Sequence, residues 1–91
     1  MRIEFDPAKD ARNIELRGIS FEEAARFEWE SALVIQDTRQ NYGEPRHRAF
    51  GFVDNRLYAL VFTPCEGGIR VISLRKANSR EVLRYETQTQ P

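Results

Sequence analysis

The spacing of apolar residues predicts an α+β fold in the order β-α-α-β-β-β-β-α, with an antiparallel sheet packed by helices on one face. Three observations predict it. Two helix starts, each with a side-chain cap, lie at Asp6 and Ser20. Four β-prone runs separated by turn residues fill positions 32–75. A third capped start follows at Asn78.

Ile3 to Phe5 alternate weakly and read as a first strand. The Asp6 carboxylate can accept from an early backbone N–H, and Pro7 suits the first helical position. That helix should run to about Leu16 and end at Gly18, with Ala8, Ala11 and Ile14 as a thin apolar stripe. Ser20 and Glu23 have capping-box spacing, with Ile19 and Ala24 as the staple. This second helix should end near Trp29 and turn Phe21, Ala24, Ala25 and Phe27 to the core. Ala32–Asp37 reads as a strand, and Thr38–Pro45 as a polar loop. Arg46–Val53 and Arg56–Thr63 read as a hairpin around the two-residue turn Asp54-Asn55. Glu66-Gly67-Gly68 turns the chain into a last strand, Ile69–Arg75. Three of the strands should form a meander. Asn78 and Glu81 again have capping-box spacing, and Val82 and Tyr85 share one face of the final helix. The tail 87–91 should fray.

The totals exclude several classes. Ninety-one residues make one domain, spanning 1–91, with one modest core. Apolar residues at 41% and charged residues at 31% describe a globular chain, not a disordered one. No apolar run approaches the ~20 residues that span a bilayer. The charged start MRIEFDPAKD argues against export, and the lone Cys65 fits a reducing cytoplasm. One cysteine and one histidine, His47, leave no thiolate-rich or His-rich metal site.

Net charge is zero but unevenly spread. Residues 1–30 carry five basic and eight acidic groups, net −3, and residues 31–91 carry nine basic and six acidic, net +3. Twelve of the fourteen basic residues are arginine, whose planar fork suits phosphate. The segment from Ile69 to Glu81 concentrates this charge. A strand ends in Arg75-Lys76, and Arg80 lies in the first turn of the next helix, where the helix dipole disfavours a cation. A basic strand end facing a helix start makes an anion site. The competing reading is a solvated cluster paired with Glu81 and Glu86. Arg46 and Arg48 share a strand face with Phe50 and Phe52, so they either begin a face that becomes core or rim a groove above it. Lys9 is a second cation in a helix first turn, His47 is a reserve candidate, and Cys65 has no basic partner. Arginines, a lysine and few metal ligands suit RNA cleavage, in which the 2′-hydroxyl is the nucleophile and preorganised cations stabilise the crowded phosphate.

Phe5-Asp6-Pro7-Ala8-Lys9, Asn13 and Gly18-Ile19-Ser20-Phe21-Glu22-Glu23-Ala24 resemble the N-terminal signature of the BrnT toxin family. Gly43-Glu44, Arg46, Gly51, Ile69-Arg70-Val71-Ile72-Ser73, Arg75-Lys76-Ala77, Arg80-Glu81 and Tyr85 are similar to its C-terminal block. The resemblance implies a RelE-like ribonuclease toxin of a bacterial type II toxin–antitoxin pair. It implies inhibition of translation by RNA cleavage, no cofactor and no membrane. The implied partner is a BrnA-type antitoxin with a ribbon-helix-helix domain, through which alone operator DNA is bound. Carried over, Lys9, Arg46, Arg75 and Arg80 become the catalytic positions. Arg48, Arg70, Lys76 and Tyr85 become the RNA-binding positions, with Tyr85 stacking on a base or orienting the site. Lys9 would move a proton, given arginines near enough to depress its pKa.

Two departures from the family pattern stand out. Leu16-Arg17-Gly18 replaces Lys-His-Gly, and Glu28 sits where the family tends to be aromatic, with Trp29 beside it. The first leaves an alternative open, a weakened homologue that only binds antitoxin or nucleic acid. A third reading is a partner-dependent protein with Trp29, Tyr42 or Tyr58 at an interface.

Overall fold

A computed structural model describes residues 1–90. Strand β1 (Arg2–Phe5) leads into helix α1 (Pro7–Arg17) and a 3-10 helix (Phe21–Arg26). Four strands follow, β2 (Leu33–Gln36), β3 (His47–Val53), β4 (Arg56–Cys65) and β5 (Gly68–Lys76), and then helix α2 (Ser79–Thr89). All five strands form one mixed sheet in the order β1-β5-β4-β3-β2. β2 to β5 are successive antiparallel neighbours, a four-strand meander where three were expected. β1 adds in parallel to β5, in register from Arg2–Gly68 to Phe5–Val71.

The caps read from sequence are in place. Asp6 accepts from Ala8 N at 2.9 Å, and Gly18 ends α1 in the left-handed conformation, φ 69°. The Ser20–Glu23 and Asn78–Glu81 capping boxes are both closed. Asp54 and Asn55 each take positive φ, as a tight hairpin turn between right-twisted strands requires. The second helix is shorter than its cap suggested. It is a single 3-10 segment that ends at Arg26 with Phe27 as its C-cap, and Ala25 is exposed. α2 extends to Thr89, beyond the point where fraying was expected; of that tail, Pro91 lies outside the described residues.

The expectation of helices on one face is corrected. Two apolar clusters lie on opposite sides of the sheet. The first joins Ile19, Phe21, Ala24 and Phe27 to Ala49, Val53, Tyr58, Leu60, Phe62, Ile69, Val71 and Leu74. The second joins Val82, Ala77 and Tyr85 to Leu33, Ile35, Phe50, Phe52, Leu57 and Ala59. The period of two in β3 requires both, because Ala49, Gly51 and Val53 alternate with Phe50 and Phe52. Burial of each large ring is worth about 1.5–3 kcal/mol, so one-sided cover would forfeit half of this. α1 contributes little apolar packing. Ala8 and Ala11 are exposed and Ile14 is 47% exposed, so the predicted stripe faces solvent. Its buried residue is Asn13, whose Nδ2 donates to Ile19 O and Leu74 O, each at 2.9 Å. α1 is thereby tied to the margin of β5 beyond the end of β1.

A bulge in β5 sets which residues face which cluster. Phe62 is opposite Val71 while Val61 is opposite Ser73, so Ile72 is the extra residue. Before it, Ile69 and Val71 enter the first cluster; after it, Leu74 does. Arg70, Ser73 and Arg75 therefore all face the second side, with α2.

Candidate functional site

α2 covers only part of its face of the sheet. It leaves β5 through Ala77, whose N donates to Leu57 O, and reaches the start of β2, where the Tyr85 hydroxyl donates to Ser31 O at 2.6 Å. The part it covers carries Leu33, Phe50, Phe52 and Leu57. Along β3 the uncovered part carries Arg48, with Arg46 just before the strand begins. Both sequence alternatives for this face thus meet in one strand, with core at one end and arginine at the other.

Cross-strand pairing gathers the cations. Arg48 is opposite Val61, which is opposite Ser73; Phe50 is opposite Ala59, which is opposite Arg75. The result is a small polar groove of about 80 Å³ lined by Arg39, Arg48, Phe50, Ser73, Arg75 and Glu81. Arg75 forks onto Glu81 with bonds of 2.8 and 2.9 Å, and Glu81 Oε1 also accepts from Asn78 N. That fork, before any other cause, holds the Glu81 carboxyl below its ordinary pKa and raises that of Arg75. Beyond the groove, Glu44 accepts two bonds from Arg70 Nη2 at 2.6 and 2.8 Å and lies 3.5 Å from Arg46 Nε. The Arg70 bonds lower the pKa of Glu44. Tyr42 lies under the Arg46 guanidinium at 4.1 Å.

The face carries five guanidinium groups (Arg39, Arg46, Arg48, Arg70 and Arg75) against three carboxylates (Asp37, Glu44 and Glu81). Two donors on it are not fully used. The Nε atoms of Arg46 and Arg48 are buried; Arg48 Nε has no hydrogen-bond partner among the described residues, and Arg46 Nε has only the long 3.5 Å ion-pair contact to Glu44. A buried donor left unmade costs about 1–3 kcal/mol, more when charged. A phosphate oxygen is an acceptor of the right charge for each.

The predicted site residues divide into three groups. Arg46, Arg48, Arg70 and Arg75 share one face. Lys76, Arg80 and Lys9 are exposed and make no ion pair among the described residues. Lys76 ends β5, and Arg80 precedes the Glu81 that grips Arg75. Lys9 stands one turn before Asn13 on the α1 face that runs beside β5, outside the groove itself. Tyr85 requires a correction. It is 8% exposed, edge-on to Phe52 and bonded to Ser31 O, so no base can stack on it. The interface expectation also changes, because Tyr58 is buried in the first cluster and Trp29 is half-buried against Phe27 and Phe62. His47 stacks on Phe62, on the side away from the arginines. Cys65 donates to Glu4, and its thiol is pushed up by burial and then by that carboxylate. Sequence reasoning missed Arg39 and Ser73 as groove residues. The bulge hid Ser73, and the irregular loop hid Arg39. Glu81 was visible both as a cap and, in the competing reading, as a partner of the basic cluster, and its fork on Arg75 realises that pairing.

No group of three or more His, Cys, Asp or Glu side chains among the described residues is placed to hold a metal ion. No helix of the described residues is long and apolar enough to cross a membrane.

A small mixed-sheet α+β protein with an open face lined by arginines presents a surface whose charge and donors suit phosphate anions. Its family is more specific: residues 5–81 match the family described as "Ribonuclease toxin, BrnT, of type II toxin-antitoxin system", and the chain belongs to it. Membership implies an RNA target and an antitoxin partner. No curated protein and no solved structure matches the chain.

Proposed function

We propose that this protein is a metal-independent ribonuclease toxin of the RelE-like kind, a single domain over residues 1–91. It acts in the cytoplasm, inhibits translation by cutting RNA and is neutralised by a BrnA-type ribbon-helix-helix antitoxin. The observation that carries the reading is the convergence of Arg46, Arg48, Arg70 and Arg75 on one open face, with the buried Nε of Arg48 unpartnered and that of Arg46 held only by a long ion pair to Glu44.

The chemistry follows from what those groups can do. The RNA chain lays its phosphates along the face from Arg70 and Arg46 to Arg48 and Arg75. The 2′-hydroxyl of the bound nucleotide attacks its own phosphorus, giving a 2′,3′-cyclic phosphate and releasing the 5′-oxygen of the next nucleotide. Negative charge builds on the equatorial oxygens, where Arg48 and Arg75 donate. Each such preorganised donor is worth about 10²–10³ in rate. Arg80 guides the strand at the α2 start, with Lys76 beside it at the end of β5; the 2′-hydroxyl proton passes to water, and Lys9 at the β5 margin is the group proposed to supply the proton that the departing 5′-oxygen takes up. One histidine and one cysteine leave no site built from imidazoles or thiolates, so the proposed catalysis draws on the guanidinium groups.

Purified protein mixed with RNA in EDTA should cleave it, and Arg75→Ala should lower the rate by about 10²–10³. Induced wild type should arrest growth and Arg75→Ala should not. RNA that is bound but left intact would remove the enzymatic reading. The alternative would then stand, a weakened homologue that only binds antitoxin or nucleic acid. The two carboxylate forks on Arg70 and Arg75 favour that alternative. Leu16-Arg17 does not add to it. Leu16 is 71% exposed, neither residue lines the groove, and Arg17 sits in the last turn of α1, where a cation suits the helix dipole.

A further inference from the structure

The loop between β2 and β3 is tied down more firmly than a surface connection requires. Asp37 directly follows β2, and its N–H donates to Arg46 O at 2.7 Å. Its side chain is 1% exposed, and four donors reach it. Arg39 supplies three of them, from N at 3.2 Å, Nε at 2.8 Å and Nη2 at 2.8 Å, and the Tyr42 hydroxyl supplies the fourth at 3.1 Å. Farther along, Glu44 grips Arg70, and Pro45 O accepts from Thr63 Oγ1 at 2.6 Å. These bonds hold both ends of the loop and its middle against the arginine face.

The Asp37 fork fixes one edge of the Arg39 guanidinium, the Nε–Nη2 edge. Its Nη1 makes no hydrogen bond to any described residue, and the side chain lines the same groove as Arg48 and Arg75. Two guanidinium groups held across one groove repel each other, and an anion between them relieves that repulsion. A carboxylate sunk below a loop with its donors filled serves to aim a cation, as second-layer partners aim the ligands of other sites.

We propose that Arg39 is a further phosphate-contacting cation of this site, and that Asp37 is the positioning residue that aims it, so that loop 37–45 forms the outer wall of the groove. This rests on the face being an RNA site. It adds a residue pair and a loop that neither composition nor family membership assigns.

The test uses the full chain and a single-stranded RNA carrying 2′-O-methyl riboses, which binds but cannot cleave itself. Affinity is measured by fluorescence anisotropy over a range of salt. Arg39→Ala should weaken binding about ten- to a hundredfold, as loss of a charge-assisted bond does. It should also lower the slope of log affinity against log salt by about 0.7, the signature of one lost phosphate contact. Asp37→Asn should weaken binding less, and Asp37→Asn with Arg39→Ala should bind no worse than Arg39→Ala alone. Thermal unfolding of each variant identifies any that are not folded, and the exposed Arg39→Ala keeps the test decisive if Asp37→Asn is among them. Wild-type affinity and slope in Arg39→Ala, with both reduced in Arg75→Ala, would overturn the inference and leave the RNA site standing. A double variant weaker than Arg39→Ala by the full Asp37→Asn factor would overturn the positioning role. A wild type with no salt-dependent RNA binding would overturn this inference and the function together.

Discussion

Tyr85→Phe separates a core tyrosine from a base-stacking one. The hydroxyl donates to Ser31 O at 2.6 Å and links the middle of α2 to the chain just before β2. The ring is 8% exposed and meets Phe52 edge-on with centroids 5.6 Å apart. Phenylalanine keeps the ring and that contact and removes only the hydrogen bond. A neutral bond of this kind contributes about 0.5–1.5 kcal/mol, and Ser31 is exposed enough for water to satisfy its carbonyl partly, so the cost should be about 1 kcal/mol. For a chain of this length that is a fall in Tm of about 4–8 °C. Circular dichroism on heating measures it, with anisotropy on RNA alongside. RNA affinity should stay at wild type, because the ring is not available to a base. An unchanged Tm with weakened RNA binding would refute the reasoning and return Tyr85 to the binding surface.

Two further outcomes follow from the packing and the ion pairs. Gly51→Ala places a Cβ 2.5 Å from Phe27 Cζ, on a ring already held against Trp29; overpacking of this kind costs about 1–3 kcal/mol, and a melt should show Tm lower by about 5 °C or more. The Arg39 fork holds Asp37 far below the ordinary carboxylate range, and Glu81 and Glu44 are also depressed, each first by its arginine. Carboxyls depressed on folding contribute stability that is full above their unfolded values, about pH 4, and lost as pH falls. Urea midpoints should therefore drop from about pH 5 downward, with a shallower drop in Asp37→Asn at the acid end.

Local chemistry made much of this fold legible. Asp6, Ser20 and Asn78 are caps because their side chains can reach an early N–H, which depends on neighbours two or three residues away. Asp54-Asn55 is legible for the same reason. What failed to show depends on distant partners. The Ala8-Ala11-Ile14 stripe has helical spacing but meets no apolar surface, and Asn13 is buried in its place because β5 offers a free carbonyl at Leu74. Tyr85 carries a group that can stack on a base or bond inside a core, and only the approach of Ser31 decides between them. The parallel pairing of β1 with β5 joins residues more than sixty positions apart and leaves no mark on either strand.

The bulge at Ile72 shows why the candidate site was only half visible. Uninterrupted alternation from Ile69 would put Val71, Ser73 and Arg75 on one face, and a guanidinium would then point into the cluster that holds Leu60 and Phe62. One extra residue reverses the pattern after Val71. Leu74 turns into that cluster, and Ser73 and Arg75 turn out beside Arg48. The cost is a local break in the ladder between β4 and β5, the pair of strands that anchors the sheet. Such a break gains nothing for the core, which an alternating strand would fill as well. It does bring Arg75 within reach of Glu81 at the start of α2 and across the groove from Arg39 and Arg48. The irregularity lies where the guanidinium groups come together, and it is the feature of the backbone that gathers Arg75 with Arg48 on one face instead of scattering them.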